Sequence, residues 1–540
     1  MIAGQASGEH FVFSVADFGA IGDGQADDRA AIQTAIDAAC AAGDPAVVRF
    51  NSGCIYRLGR NAESVAALQF SNASKVALEG NGCMLVAHPS NRVLSIFESR
   101  DIRISGFKID YDPLPYAQGR IVSIETSSVV FEVDDGYPEP REGDSDLYAN
   151  HPRSDCVFLD GRTRKFSHAW QRMSKVERIK GNRFRIHFYP GAHPRRALLK
   201  PGDFIVAKIR YEQPSCPQTD SGRFLATGAG NIQIAFSENI RVADIESYAA
   251  PVMTLVAHGS ENVQVDGLRV VRKPGTDRLV ASCSDGAHMK SLTVMPRLTN
   301  CRFEALMDDS INIKVSAQKV LKIQGKRVLM THCDILWNDI VLKPGDELEF
   351  TDSAETRFLD LAKVMAFRKT NYQEAWVTLD DVPRELQVGD LAYIRPQTMA
   401  VVSNCTFRSQ LKTALVTRPQ TQVENCSFEG LAHGVHAMLW GGIEGPAPRG
   451  INIQNCTFGN LWISAVEIGV NRFEVVPPGL PGIVIKDCRM ELDSEAVAVG
   501  GRTPELLVDN MHIKTEGSRS EKRLFPIKTG KRSLKNISIE

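Results

Sequence analysis

The 540-residue sequence predicts an all-β protein built on a parallel β-helix, a solenoid in which each turn of the chain adds one rung. Three observations predict this fold: a short phrase that recurs along the chain, a turn-rich segment followed by a helix near the N-terminus, and two long interruptions of the repeat. The expected units are the β-helix start with a capping helix over 1–116, an inserted β-barrel over 117–215, β-helix rungs over 216–315, a second inserted barrel over 316–398 and the β-helix end over 399–540.

The recurring phrase is Asn or Asp, then Cys, then any residue, then Phe or Met. Cys and the aromatic residue lie two positions apart, so in a strand they share one face, while Asn or Asp favours the preceding turn. Asn404 and Asn425 are 21 positions apart, and Asn239 and Asn262 are 23 apart, which is a typical length for one rung. Five cysteines are therefore expected to point into the interior: Cys301, Cys405, Cys426, Cys456 and Cys488.

The same residues have two other interpretations. Asn404-Cys405-Thr406 matches a glycosylation sequon, and stacked cysteines could form disulfides or bind a metal. A turn residue and a small buried side chain explain both patterns without further chemistry, because these residues recur at the same position of the repeat. We therefore expect free, buried thiols and assign no function to either feature.

The segment 17–28 is rich in Gly and Asp, and a helix with Ile32, Ile36 and Ala39 on one stripe is predicted to follow it, with Asp27 as its N-cap. The segment lacks the third glycine and the Gly-Lys-Ser/Thr sequence of phosphate-binding loops. A helix laid over the first rung would instead cover the apolar interior and the open sheet edge. The phrase resembles the N-terminal signature of the pectin-lyase-like superfamily, which implies a right-handed β-helix.

The repeat stops twice, from about Gly119 to Cys216 and from about Ser316 to Thr398. Short alternating strands replace it, and each stretch closes with a Gly-Asp turn, at Gly202-Asp203 and at Gly389-Asp390. Such strands predict two small antiparallel barrels inserted into loops of the solenoid. Insertions on one face of a solenoid often form a wall of the binding site.

Three carboxylates are the candidates for chemistry. Asp308 and Asp309 follow Asp285 by about one rung, and aligning 285–289 with 309–313 keeps the small and apolar positions in register. Neighbouring rungs are ~4.8 Å apart, so one carboxylate should lie close enough to raise the pKa of another, as acid–base catalysis requires. The alternative is that these residues form turns or a calcium site.

The segments 274–288 and 307–312 together resemble the active-site stretch of glycoside hydrolase family 110, the exo-acting α-1,3-galactosidases. Residues 110–115 and 440–446 extend the resemblance, which covers most of the chain and includes the two inserted barrels. It implies a reaction that inverts the configuration at the anomeric carbon. The three catalytic aspartates that it implies are Asp285, Asp308 and Asp309.

Five further residues are assigned to substrate binding. Trp440 is either a platform on which the sugar stacks or a core aromatic residue, and Glu444 lies in the same late segment. His288 and Asn312 either contact sugar hydroxyl groups or satisfy each other within a turn. Arg278 either orients the site or is a solvated loop residue.

Together these residues predict an inverting exo-glycosidase that removes terminal α-1,3-linked galactose from glycans such as blood-group-B-like or Gal-α-1,3-Gal structures, with no metal or organic cofactor. One carboxyl protonates the leaving oxygen and others activate water, so the working carboxyls should lie ~6.5–9.5 Å apart. Two alternatives stay open: a polysaccharide lyase or polygalacturonase-like enzyme of the same fold, and a non-catalytic glycan-binding solenoid. A lyase is disfavoured because no clear pair of basic residues accompanies the aspartates.

The formal net charge is −1 and Lys and Arg form no dense run, which argues against nucleic acid or an anionic membrane as partner. No stretch reaches the ~18 apolar residues of a membrane span. Residues 1–10 lack the features of a signal peptide. We expect a periplasmic or secreted location from the nature of the substrate, with the cytoplasm as the alternative, and a homodimer is the candidate oligomer.

Overall fold

The structure is a computed structural model of the chain. It describes residues 5–7, 10–43, 45–143, 155–189, 199–209, 211, 230–333, 340, 342–355, 357–371, 373–409, 411–438, 445–446, 448, 450–469, 482–515 and 520–540. Within these residues, no helix is long and apolar enough to cross a membrane.

The first part of the β-helix precedes the first barrel. Its strands are β1 (Gln5–Ser7), β2 (His10–Ser14), β3 (Asp23–Asp27), β4 (Ala46–Arg49), β5 (Ile55–Leu58), β6 (Ala66–Ser71), β7 (Val76–Glu79), β8 (Met84–Ala87), β9 (Arg92–Phe97) and β10 (Arg100–Tyr111). A 3-10 helix spans Val15–Phe18, and helix α1 spans Arg29–Ala41. Apart from the antiparallel pair β1–β2, these strands pair in parallel with the neighbouring rungs.

The middle rungs lie between the two barrels. Their strands are β17 (Ile232–Ala235), β18 (Glu238–Ser247), β19 (Leu255–His258), β20 (Glu261–Asp266), β21 (Arg269–Val270), β22 (Ala287–Lys290), β23 (Arg297–Thr299), β24 (Arg302–Glu304) and β25 (Ile311–Lys314). Strand β10 pairs with β18 across the whole first insertion, so the barrel leaves the stacking of the rungs intact.

The last part of the β-helix follows the second barrel. Its strands are β32 (Ala400–Ser403), β33 (Thr406–Arg408), β34 (Thr413–Thr417), β35 (Thr421–Glu424), β36 (Ser427–Glu429), β37 (His433–Met438), β38 (Ile451–Gln454), β39 (Thr457–Leu461), β40 (Ser464–Gly469), β41 (Ile483–Leu492), β42 (Val497–Thr515) and β43 (Ile527–Ile539). A short helix, α2, spans Glu521–Leu524. Strand β25 pairs with β34 in parallel across the second insertion.

The two insertions are closed antiparallel barrels of six strands each. The first contains β11 (Tyr116–Ile124), β12 (Ser128–Val133), β13 (Asp155–Leu159), β14 (Phe166–Lys180), β15 (Arg183–Phe188) and β16 (Phe204–Lys208). The second contains β26 (Ala317–Gln324), β27 (Arg327–His332), β28 (Glu347–Thr351), β29 (Phe358–Lys369), β30 (Glu374–Leu379) and β31 (Leu391–Ile394). Both barrels have the same strand order, and each has its own apolar core.

The Gly-Asp turns that marked the barrels in the sequence share one hydrogen-bonding pattern. The Asp203 carboxylate accepts hydrogen bonds from the backbone N–H groups of Lys200 and Gly161. The Asp390 carboxylate accepts the equivalent bonds from Gln387 and Ser353. Each aspartate therefore connects the turn before the last barrel strand to a loop that is distant in the sequence.

The repeated phrase has the structural role expected from its pattern. Its first residue, Asn or Asp, adopts the left-handed conformation of a tight turn, with φ between 52° and 57° at Asn300, Asn404, Asn425, Asn455 and Asp487. All five cysteines of the phrase are free and at most 3% exposed. Their aromatic partners stack with ring centroids 5.6, 4.9 and 4.6 Å apart along Phe303, Phe407, Phe428 and Phe458.

Helix α1 covers the first rungs, but its N-cap differs from the prediction. The residue at the N-cap is Asp28, not Asp27. The Asp28 carboxylate accepts hydrogen bonds from Ile21 and Gly22 in the preceding turn, whereas Asp27 accepts from Arg29 and from Gly59 on a neighbouring rung. Both carboxylates hold the turn-rich segment in place, and the apolar stripe of the helix lies buried in the main core, at Ile32, Ala35, Ile36 and Ala39.

Candidate functional site

The three candidate carboxylates lie where two neighbouring strands begin. Asp285 comes two residues before β22, and Asp309 comes two residues before β25. Ala287 pairs with Ile311, and the Gly286 N–H donates to the Asp309 carbonyl at 3.0 Å. The register is thus the one predicted from the sequence, with Asp285 and Asp309 at equivalent positions on adjacent rungs.

Asp308 reaches the same corner because the chain turns between the two aspartates. The backbone N–H of Asp309 donates to the Asp308 carboxylate at 3.1 Å. One carboxylate oxygen from each of Asp285, Asp308 and Asp309 lies within 4.8 Å of the other two. The predicted separation of ~6.5–9.5 Å is therefore wrong for the nearest oxygens, since a rung spacing of ~4.8 Å and the turn at Asp308 bring all three together.

Two lysines set the charge of Asp308. The Lys412 ammonium lies 2.9 Å from the Asp308 carboxylate. Burial alone would raise the pKa of Asp308, but the positive charges of Lys412 and Lys208 outweigh it and lower that pKa. Burial alone would lower the pKa of Lys412, but Asp308 and then Asp309 raise it. Asp308 is accordingly an ionised carboxylate paired with a protonated amine at neutral pH.

These lysines were missed by the sequence analysis. Lys412 follows Asp308 by 104 residues, with the whole second barrel between them, and no motif surrounds it. Lys208 lies on β16 of the first barrel, where its ammonium is 3.7 Å from Asp155 on β13. Nothing in the local sequence distinguishes either lysine from those on the surface, because their role depends on which rungs and barrel strands meet.

The first barrel packs directly against the loops that carry the aspartates. Its side chains form one apolar cluster with residues that precede the charged groups, namely Met307 before Asp308 and Leu411 before Lys412. The barrel side chains in this cluster are Tyr116, Val157, Leu159, Phe166, Phe204 and Val206. The inserted barrel therefore forms one wall beside the site, and it fixes the backbone on which Asp308 and Lys412 are placed.

His288 and Asn312 lie beside the carboxylates on the outer face of the sheet. They pair in register on β22 and β25 and are only 4% and 6% exposed. His288 Nδ1 lies 2.7 Å from an Asp285 carboxylate oxygen, so the ring and the carboxyl group are hydrogen-bonded to each other. Among the described residues, the Asn312 side-chain oxygen has no hydrogen-bond partner, which leaves it able to accept from a ligand.

Arg278 is buried in an ion pair. Its guanidinium donates two hydrogen bonds to Asp110, at 2.7 and 3.0 Å, and Lys273 lies 2.8 Å from the same carboxylate. The side chain of Arg278 is 10% exposed, so the solvated-loop interpretation is wrong. In the structure it anchors the loop before Asp285 to strand β10, and a direct contact with substrate stays a prediction.

Two predicted site residues are not placed. Trp440 and Glu444 lie outside the described residues, so their assignment to substrate binding stays a prediction.

The three carboxylates offer donor atoms of the kind that calcium prefers. The Lys412 ammonium already neutralises Asp308 at 2.9 Å, which makes this corner a poorer cation site than three carboxylates alone would be.

The chain is similar to several known proteins. The family described as "Rhamnogalacturonase A/epimerase, pectate lyase-like" matches residues 12–85. Alpha-1,3-galactosidase A of Shewanella woodyi is 22% identical over 501 residues, covering 87% of this chain and 79% of the relative. Alpha-1,3-galactosidase A of Bacteroides fragilis is 23% identical over 376 residues, covering 67% of this chain, which spans 59% of that relative's length. A solved family 28 exopolygalacturonase of Yersinia enterocolitica is 13% identical with a TM-score of 0.44, covering 99% of this chain and 79% of that one.

The matched residues include the N-terminal turn and helix that carried the superfamily resemblance in the sequence. The curated relatives share the name of one enzyme over most of the chain, and they support a glycoside hydrolase of the β-helix fold. Both resemblances found in the sequence are thereby confirmed: the chain is a parallel β-helix protein that resembles the pectin-lyase-like superfamily in its N-terminal part and, over most of its length, the α-1,3-galactosidases of glycoside hydrolase family 110.

Proposed function

We propose that the protein is an exo-acting glycosidase that removes terminal α-1,3-linked galactose from glycans with inversion of configuration. The observation that carries the proposal is the convergence of Asp285, Asp308 and Asp309, with oxygens within 4.8 Å of one another. The names of the relatives supply the substrate class. Inversion is inferred from the family resemblance alone. The distances between the carboxylate oxygens do not argue for it, because they are closer to the ~5–5.5 Å of a retaining pair than to the ~6.5–9.5 Å of an inverting pair.

Asp308 is suited to act as the base, since the two ammonium groups keep its pKa low and the carboxylate ionised. Water would lose a proton to Asp308 while its oxygen bonds to the anomeric carbon. The bond from that carbon to the glycosidic oxygen breaks, and the leaving oxygen takes a proton from a second carboxyl group. Asp285 and Asp309 are the candidates for that acid, because a carboxyl beside another negative charge retains its proton more readily.

His288 and Asn312 complete the proposed site. The His288 ring holds Asp285 in one orientation through the 2.7 Å contact. The Asn312 oxygen is available to a sugar hydroxyl. The proposed steps use only side chains of this chain and call on no cofactor.

A polysaccharide lyase is the second candidate, and one observation favours it. The structure brings Lys412 and Lys208 to the carboxylates, and basic side chains are what a lyase uses to neutralise a uronate and abstract a proton. The pKa of Lys412 is raised, however, so this amine stays protonated and is a weak base. Hydrolysis therefore fits the site better than elimination.

One experiment separates these functions. The protein is incubated with nitrophenyl α-galactoside, with Gal-α-1,3-Gal and with polygalacturonate, and the products are followed by proton NMR. We expect galactose from the first two substrates, with the β-anomer formed first. Release of α-galactose first would refute inversion, and an unsaturated uronide from polygalacturonate with no galactose from the other two would establish the lyase instead.

A further inference from the structure

The polar side chains at the site belong to two rows that continue along the solenoid. Pairing of β22, β25, β34, β37 and β40 places equivalent residues of five rungs side by side. The first row, at or just before the strand starts, contains Asp285, Asp309, Thr413, His433 and Ser464. The second row, three residues later, contains His288, Asn312, Val416, His436 and Glu467. Charged or ionisable groups thus occur at both ends of the rows, with uncharged Thr413 and Val416 between them.

The far end of the rows is a compact cluster. His433 Nδ1 lies 2.7 Å from the Ser464 hydroxyl and 3.0 Å from a Glu467 carboxylate oxygen. The rings of His433 and His436 have centroids 4.7 Å apart. The side chains of His433 and Glu467 are 16% and 27% exposed, so this cluster reaches solvent, as Asp308 does at 27%.

The two ends have the same backbone geometry. A Cβ atom on Gly286 would lie 2.4 Å from the Phe303 ring and 2.6 Å from the Ser310 carbonyl. A Cβ atom on Gly434 would lie 2.7 Å from the Phe458 ring and 2.6 Å from the Ala465 carbonyl. At both glycines the backbone at the start of the strand therefore packs directly against a ring of the phenylalanine stack, where a side chain would not fit. This brings residues three positions apart together on the outside, as Asp285 with His288 and as His433 with His436.

Spacing and charge connect the two clusters to one ligand. Asp309 and His433 are two rungs apart, or ~10 Å at the usual strand separation. A glycan whose scissile bond lies at the aspartates would pass over Thr413 and Val416 and meet His433 and Glu467. A carboxylate and an imidazole are both able to accept or share the protons of sugar hydroxyl groups.

We propose that His433, His436 and Glu467 form a hydroxyl-binding subsite for the glycan that the aspartates cleave. This inference rests on the proposed function. Glu467 accepts a hydrogen bond from one hydroxyl group, and His433, held by Ser464 and Glu467, contacts a neighbouring one. The ring of His436, in the second row, packs against the ring of His433. The hydroxyl groups belong either to the terminal galactose or to the sugar next to it.

The test measures kcat and KM of Glu467→Gln and His433→Asn with nitrophenyl α-galactoside and with Gal-α-1,3-Gal. Matched controls exist elsewhere in the chain. His512 Nδ1 lies 2.7 Å from the Ser538 hydroxyl, so His512→Asn removes a similar histidine–serine contact, and Glu491→Gln removes an exposed carboxylate paired with Lys514. Unchanged thermal midpoints and circular dichroism show that each variant folds.

We expect KM to rise about 10- to 100-fold with kcat changed less than about three-fold, because a lost hydrogen bond to a charged group weakens binding in the ground state and the transition state alike. A rise with both substrates assigns the hydroxyl groups to the terminal galactose. A rise with the disaccharide alone assigns them to the second sugar.

Three results would overturn the inference. If the wild type cleaves the galactosides and both variants match their controls, the subsite is wrong and the proposed function stands. If chelation by EDTA abolishes the wild-type activity and the loss of Glu467 removes that sensitivity, the cluster is a metal site instead. If the wild type neither cleaves these galactosides nor binds them in ligand-observed NMR, the proposed function fails and the subsite fails with it.

Discussion

The Lys412 ammonium and the Asp308 carboxylate form an ion pair of 2.9 Å across 104 residues of sequence. The pair lies at the corner where Asp285 and Asp309 also present their carboxylates, so one of three neighbouring acids is held ionised by a built-in cation. This asymmetry is the basis on which we propose different tasks for otherwise similar aspartates, because acid–base catalysis needs one group charged and another protonated at the same pH.

Replacing each aspartate by Asn should reduce turnover by about 10²-fold or more while the fold is retained, since Asn keeps the volume and removes the ionisable group. Rescue experiments on the matching Ala variants assign the roles. Azide should restore the variant that lacks the base, because it replaces the activated water. A nitrophenyl leaving group should spare the variant that lacks the acid. Wild-type-like turnover of Asp308→Asn and Asp309→Asn would contradict the site assignment.

Removing the cation should shift the pH profile of activity. Lys412 lowers the pKa of Asp308, and a base works only above its pKa, so Lys412→Met should move the acid limb of kcat/KM to higher pH. Lys412→Arg, which keeps the positive charge, should preserve the position of the limb. The exposed Lys514, paired with Glu491, provides the control Lys514→Met. An acid limb that is the same in Lys412→Met and wild type would show that this ion pair does not control the base.

His436 should make the protein lose stability as the pH falls. Burial, followed by the charge of His433, lowers the pKa of His436 to about 3, with Glu467 opposing the shift and Arg418 adding to it. The unfolded chain binds a proton near pH ~6.5, so the native state is favoured above that pH, and the advantage is lost between ~6.5 and 3. Urea unfolding at pH 7 and pH 5 should show a smaller loss for His436→Gln than for wild type.

The same measurement on His512→Gln provides the control, since that histidine is 37% exposed. An equal loss of stability in wild type and His436→Gln would show that this imidazole is not the group responsible.

Thiol labelling tests the interior of the solenoid. The five cysteines of the repeat are at most 3% exposed, so a maleimide should modify them only after denaturation. Cys40, Cys54 and Cys333 are partly exposed and should react first in the native protein. Mass spectrometry of labelled peptides reads each site separately. Rapid labelling of most of the five without denaturant would contradict the assignment of the repeat.

Much of the architecture could be predicted from the sequence because its cause is local. Asn300, Cys301 and Phe303 occupy a turn, an inward position and the next inward position, and the same relation holds wherever the phrase recurs. The register of Asp285 with Asp309 followed from the same periodicity. The error at the helix start, Asp27 for Asp28, has a local origin too, since both carboxylates are able to accept backbone hydrogen bonds and the sequence does not say which turn each one serves.

What only the tertiary structure decided is the electrostatics of the site. A strand period of two residues and a rung period in the low twenties say which face a side chain occupies, so they placed His288 and Asn312 next to the aspartates. They carry no information about charges on rungs separated by an inserted barrel. Lys412 meets Asp308 because β25 pairs with β34 across the second insertion, and Lys208 approaches because the first barrel packs onto Met307. A Coulomb interaction depends on distance in space, and these distances exist only once both barrels are in place.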